Sequence, residues 1–178
     1  MMRREVLKLG GVAAAGLMMP GIVSAAGPRR EPGLVLIDDR FAEGRAFGAA
    51  AAQGGARVVA TGQDMLSLWH GSLRGASLAG LCGLTTYSDM VVIAGLAAEA
   101  RRSFALRIKH RAGAGGTVHR LVDGPPASLS ILAAAADRWP AGLWSVVAGA
   151  GNPPAARRVD GSPRPAGRGG MLWSWGIA

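Results

Sequence analysis

Leu34-Val-Leu-Ile37 is an uninterrupted apolar run that ends abruptly in Asp38-Asp39. A run of strand length with no polar position inside it predicts a strand buried on both faces. The spacing then changes. Phe41, Ala42, Phe47, Ala50 and Ala51 recur at helical intervals up to Gln53, and Gly54-Gly55 stops the helix. Arg57-Val-Val-Ala-Thr61 predicts a second strand. From Gln63 to Leu73 a second helix places Met65, Leu66, Leu68, Trp69 and Leu73 on one side, with Asp64 at its start. Leu78 to Thr86 reads as a third strand. Ser88 or Asp89 then caps a long helix through Arg102, apolar nearly all round until Glu99. Strand and helix alternate throughout, as in a parallel sheet covered on both faces.

The second half has a different rhythm. Phe104, Leu106, Ile108 and His110 alternate with Ala105, Arg107 and Lys109, the period of a half-exposed strand. A glycine-rich loop, 111–116, lets 117–122 return antiparallel, and Pro125-Pro126 opens a helix over about 127–138. The triplet Leu-Trp-Ser occurs twice, at 143–145 and 172–174, inside the apolar segments 142–149 and 171–178. Those two segments are expected to pair as strands across a Pro/Gly/Arg-rich flexible loop, 150–170, with Trp173 and Trp175 on one face. The fold class is α/β: a three-layer sandwich whose mainly parallel sheet is extended by antiparallel strands. The domain spans 34–149, preceded by a mobile leader, 27–33, and followed by the loop and a terminal apolar strand, 171–178.

The first 26 residues belong to none of this. Arg3, Arg4 and Lys8 precede an apolar run from Leu9 to Met19, which Pro20-Gly21 breaks before the small residues Val23-Ser-Ala-Ala26. Positive, apolar and small-residue regions in that order make a secretory signal. The run falls short of the ~20 apolar residues that cross a bilayer, so no transmembrane helix is expected in the mature form. Arg3-Arg4-Glu5-Val6-Leu7-Lys8 resembles the twin-arginine export signal. Arg3, Arg4, Leu7 and Lys8 are in register; Met2 and Val6 depart from the usual Ser/Thr and Phe. No cysteine follows the cleavage region, which argues against a lipid anchor. The resemblance implies a bacterial protein exported folded to the periplasm by the twin-arginine machinery and trimmed by signal peptidase. It also implies a reason to fold first, such as a cofactor or an exported partner protein.

Cleavage after residue 26 leaves 152 of 178 residues, enough for one domain with a core. The signal, residues 1–26, carries +2, so the net charge of +9 becomes +7, and Lys109 is the last remaining lysine. Aromatic residues make up 5% of the chain and are not interleaved with the arginines, so no nucleic-acid partner is expected. A basic balance suits anionic partners or membrane surfaces instead. Cys82 is the single cysteine; no intramolecular disulfide is possible, and its apolar neighbours mark it as a small buried hydrophobe.

Three polar clusters close the three expected parallel strands: Asp38-Asp39-Arg40, Thr61 with Asp64, and Thr85-Thr86 with Ser88-Asp89. Ligands of open α/β sheets bind beyond such strand ends. Their carboxylates and hydroxyls have the chemistry to hold a polar ligand or a metal, and equally to cap the helices that follow. His110 and His119 flank the glycine loop and supply two imidazoles, the beginning of a zinc or copper site, but no third ligand has diagnostic spacing. His70 reads as packed or solvated. Nucleotide-binding glycine fingerprints, CxxC, HExxH and GxSxG are absent, and no cofactor is identified. The expectation is a non-catalytic periplasmic accessory or ligand-binding protein whose contact surface is the strand-end edge or the Trp-bearing terminus. The alternative is a small enzyme, metal-assisted, using Asp38, Asp64 and the Thr85–Asp89 segment. It requires Asp38, Asp64, Ser88 and Asp89 to converge on one pocket.

Overall fold

A computed structural model describes residues 33–62, 64–73, 80–149 and 170–178, with Ser72 by its backbone only. The segment 1–26 expected to be an export signal, all but Gly33 of the expected leader 27–33, and all but Gly170 of the expected loop 150–170 lie outside the described residues. Six strands form one sheet: β1 (Leu34–Ile37), β2 (Arg57–Ala60), β3 (Cys82–Thr86), β4 (Phe104–Gly113), β5 (Gly116–Asp123) and β6 (Met171–Ile177), in the order β2-β1-β3-β6-β4-β5. β2, β1 and β3 are parallel. β6 runs antiparallel between β3 and β4, and β4 and β5 form an antiparallel hairpin. The architecture is thus α/β with a mixed sheet, parallel in one half and antiparallel in the other.

Helices cover both sides. α1 (Ala42–Gln53), α4 (Ala127–Ala135) and α5 (Trp139–Val147) pack on the face that presents Val35, Ile37, Leu84, Ile108 and Leu172. α2 (Met65–Leu68) and α3 (Tyr87–Glu99) pack on the face that presents Leu36, Trp175 and Ile177. Alternation along each strand sends successive side chains to opposite faces, so one continuous sheet serves two cores.

Several boundaries differ from the sequence reading. The helix expected over 63–73 is one α-turn, α2, followed by a π-helical turn, Trp69–Leu73. Leu66, expected on its apolar side, is 57% exposed. α3 is capped by Thr86, the last residue of β3, rather than by Ser88 or Asp89; strand passes into helix without a linker. It ends at Glu99, before Arg102, where Arg101 adopts φ +54. The helix expected over 127–138 breaks at Ala136 (φ +47) into a short 3-10 turn, Ala136–Arg138, that leads into α5.

The larger correction concerns 142–149. This segment is not a strand but most of α5, with Pro140 in the first turn, where its missing N–H costs nothing. Trp139, Gly142 and Leu143 are buried at helical spacing, and α5 lies against α1 and α4. Its Leu-Trp-Ser triplet therefore has no structural kinship with that of β6. β6 instead occupies the middle of the sheet. Trp173 and Trp175 do share a face, both packing against the α3-side core.

Trp175 is fully buried and donates its indole N–H to Thr85 Oγ1 at 3.0 Å. Burying a tryptophan contributes about 4–6 kcal/mol of transfer free energy. Gly83 makes room for it: a Cβ there would lie 2.6 Å from Trp175 Cζ2 and 2.8 Å from the Leu36 carbonyl oxygen.

Candidate functional site

Parallel pairing places the ends of β1, β2 and β3 at one edge, and the chain changes direction between β1 and β3, where α/β folds open a crevice. Asp38 lies there, fully buried. Arg40 donates from Nε to Oδ1 at 2.8 Å, from Nη2 to Oδ2 at 2.6 Å, and from its backbone N–H to Oδ1 at 3.1 Å. The Asp38 hydrogen bond, above all, raises the guanidinium pKa, with smaller contributions from the charges of Asp38, Asp89 and Asp39. Asp39 is exposed, and its carbonyl accepts from Arg45 Nη1 at 2.6 Å.

On β3, Thr85 Oγ1 accepts from Trp175 and donates to the Thr86 carbonyl at 3.2 Å. Thr86 Oγ1 donates to Asp89 Oδ2 at 2.9 Å, lies 2.9 Å from Ser88 Oγ and accepts from the Asp89 backbone N–H at 3.4 Å. Asp64 caps α2, accepting from the N–H groups of Leu66 and Ser67 at 3.0 and 3.2 Å and from the Ser67 hydroxyl. Those bonds, Ser67's hydroxyl first, hold its carboxyl below the usual range. Thr61 Oγ1 is buried without a hydrogen-bond partner among the described residues. The structure therefore gathers an Asp38–Arg40 pair and a Thr86–Ser88–Asp89 cap, while both Asp64 oxygens are taken up by the start of α2. Most of these polar atoms are engaged with one another rather than turned toward a shared cavity.

A second constellation lies on the opposite half of the sheet. His110 on β4 faces His119 on β5 across the hairpin, with their Nδ1 atoms 2.7 Å apart. The other nitrogen of His110, Nε2, is 2.8 Å from Ser174 Oγ on β6. Trp139, from the start of α5, stacks on His110 (centroids 4.3 Å, 19°) and donates its indole N–H to Thr117 Oγ1 at 3.1 Å. Burial, with the neighbouring His119, pushes the His110 pKa down to about 3; burial also lowers that of His119. Both rings are neutral at neutral pH, so a single proton sits between the two Nδ1 atoms.

That proton has two homes. When His119 Nδ1 carries it, His110 accepts there, donates from Nε2 to Ser174, and leaves His119 Nε2 with a lone pair. When His110 Nδ1 carries it, His110 Nε2 accepts from the Ser174 hydroxyl and His119 Nε2 becomes a donor. His119 also lines a cleft of about 360 Å³. Leu129, Leu132, Ala133 and Ala136 form its apolar wall, with Thr117 and Asp137 as its other polar side chains. Ala136 sits in this wall at φ +47, a region that costs an L-residue of order 1–3 kcal/mol and that clusters at functional sites.

The histidines are joined by a hydrogen bond, not spaced for a shared ion. Two imidazole nitrogens on one tetrahedral zinc, each about 2.05 Å from it, stand about 3.3 Å apart. No group of three or more His, Cys, Asp or Glu among the described residues is arranged to hold a metal. Ser174, His110 and His119 have the order of nucleophile, base and orienting group, yet Ser174 is fully buried. Cys82 is buried as well, and burial pushes its thiol up to about 12.

Sequence reasoning reached His110 and His119 through their positions beside the loop, but missed Ser174, Trp139 and Thr117. The insertion of β6 beside β4 brings in Ser174 and the placement of α5 brings in Trp139, while Thr117 lies on β5 two residues from His119 and acquires its role by accepting from Trp139. No family model, curated protein or solved structure matches the chain.

Proposed function

We propose that this protein is an exported, non-catalytic ligand-binding protein of the periplasm, with its ligand seated in the cleft beside His119. The observation that carries the reading is the hydrogen-bonded series Ser174–His110–His119, which runs from the core and ends in that cleft. Burial keeps both imidazoles neutral, so His119 Nε2 offers a lone pair or an N–H according to which tautomer the ligand selects. Asp137 on the cleft wall favours a ligand with a cationic or hydrogen-bond-donating group, and the leucine and alanine wall favours an apolar body. The ligand class is a small amine or alcohol with an aliphatic or aromatic portion. Among the described residues the cleft lining holds no serine or cysteine, Ser174 and Cys82 being buried, and its one hydroxyl, Thr117 Oγ1, accepts from the Trp139 indole, which supports binding over chemistry. The twin-arginine resemblance supports export of the folded domain.

The test is a thermal-shift screen of small amines and alcohols on the wild-type chain, His119→Ala and Asp64→Ala. Ligands of this site raise the Tm of the wild type and of Asp64→Ala and fail to do so for His119→Ala. Hits that ignore the His119 substitution, or a screen without hits, refute the assignment. A second reading, with His119 as a general base whose proton passes to His110, draws on the same relay. It predicts that a hit is converted, whereas the binding reading predicts that it is recovered unchanged.

A further inference from the structure

We infer that the α3-side face of β4, β5 and β6 docks on an anionic lipid bilayer, independently of the His119 cleft on the other side of the sheet. Strand alternation places Arg107, Lys109 and Arg111 of β4 on this face, and Arg120 opposite Lys109 on β5. Arg107 is neutralised by Asp123 and lies over the Phe104 ring. Lys109, Arg111 and Arg120 take part in neither of the ion pairs among the described residues. Three uncompensated cations thus share two adjacent strands of a strongly basic chain.

Apolar side chains stand between those cations. Val118, opposite Arg111, is 65% exposed, Val122 is 44% exposed, and Met171 at the start of β6 is 40% exposed. α3 packs over β3 and β6 and stops short of the hairpin, so among the described residues no helix covers this part of the sheet. Where α3 begins, Tyr87 meets half-buried Trp173 with ring centroids 5.4 Å apart, and Lys109 Nζ lies 6.0 Å from the Trp173 ring. The exposed Tyr87 ring, backed by Trp173 whose indole N–H is buried, shares this face with aliphatic side chains and unpaired cations, a set that matches the layering of a bilayer interface. Rings suit headgroup depth, aliphatic groups the acyl boundary, and cations the lipid phosphates.

Charge complementarity selects this occupant. A second copy of the chain would bring its own +9 against the same cations. A single-stranded nucleic acid needs open aromatic faces for its bases, whereas the groups between the cations here are mostly aliphatic, and Trp173 already lies against Tyr87 and Lys109. At about 1 kcal/mol for each basic residue at an anionic surface, three cations strengthen binding by roughly 100-fold over a zwitterionic surface.

The experiment is flotation of the full chain with vesicles of phosphatidylglycerol and phosphatidylcholine in equal parts, and with phosphatidylcholine alone. Lys109→Gln/Arg111→Gln/Arg120→Gln is compared with a control of equal charge change elsewhere, Arg57→Gln/Arg101→Gln/Arg138→Gln. The amino-terminal segment is the same in every chain, so differences read the face. Expected are tight binding to the mixed vesicles, a loss on the order of 100-fold in the face variant, and a loss below about threefold in the control. Val118→Ser/Met171→Ser weakens binding at unchanged charge. Equal losses in the face and control variants overturn the proposal. So does a face that binds a thymidine oligonucleotide and not the anionic vesicles.

Discussion

Buried His110 makes the stability of this domain fall as the solution turns acidic. Burial, helped by His119, pushes its pKa from 6.5 down to about 3. Between those values the unfolded chain takes up a proton that the folded chain refuses. Stability from this group is therefore complete above about pH 6.5 and falls as pH drops, by about 1.4 kcal/mol per unit, until the folded state itself protonates near pH 3. At about pH 5 the loss is roughly 2 kcal/mol, a visible part of the 5–15 kcal/mol that holds a typical domain together. His119, shifted in the same direction, adds to it. Asp64 acts only in more acidic solution, because its carboxyl is held below 3.8. His110→Leu strands Ser174 Oγ and His119 Nδ1, at a cost of about 2–4 kcal/mol at neutral pH, but removes the largest source of the slope. Urea unfolding followed by tryptophan fluorescence, at steps between about pH 7 and 5, measures both terms. A wild type equally stable at the two ends, or a variant with the wild-type slope, refutes the reasoning.

Other perturbations read other parts of the molecule. Arg40→Ala should destabilise more than Asp38→Asn in denaturant titrations, by about 3 against 1–2 kcal/mol, because it leaves a fully buried carboxylate with one backbone donor. Gly83→Ala should lower the Tm by several degrees, as overpacking costs about 1–3 kcal/mol and the obstacles are the Trp175 ring and the Leu36 carbonyl, neither free to move. Cys82 should resist a thiol reagent at neutral pH in the native state and react once denaturant is added, as read by mass spectrometry; rapid native labelling would contradict its burial. Arg3→Lys/Arg4→Lys should retain the protein in the cytoplasmic fraction on cell fractionation, and unchanged export would show that the twin-arginine route is not used.

Local pattern alone determined much of the fold. The apolar run at 34–37, the helical spacing over 41–53 and the alternation over 104–110 each correspond to an element of the structure, the helix beginning one residue later at Ala42. Periodicity succeeds there because a side chain's direction along a helix or strand is set by its own backbone. The same logic failed over 142–149, where apolar residues suit a buried helix as well as a strand. Which one forms depends on α1 and α4, whose surfaces α5 covers. The strand-end carboxylates and hydroxyls were legible as residue types but not as roles, since capping and ligand binding use the same oxygens. Burial of Asp38 against Arg40 and the α2 cap at Asp64 are facts of packing.

Non-local pairing decided the rest. β6 is separated from β3 and β4 by long stretches of chain, and its place between them follows from burying Leu172, Trp175 and Ile177 in the two cores at once. That single insertion brings Ser174 to His110 and sets Trp173 beside Tyr87 and Lys109. The sequence by itself determined most of the strands, the helix α1 and the residue types they carry. Whether Ser174 meets His110 and Trp173 meets Lys109 was decided by the place of β6 in the sheet, because register couples residues that have no fixed spacing along the chain.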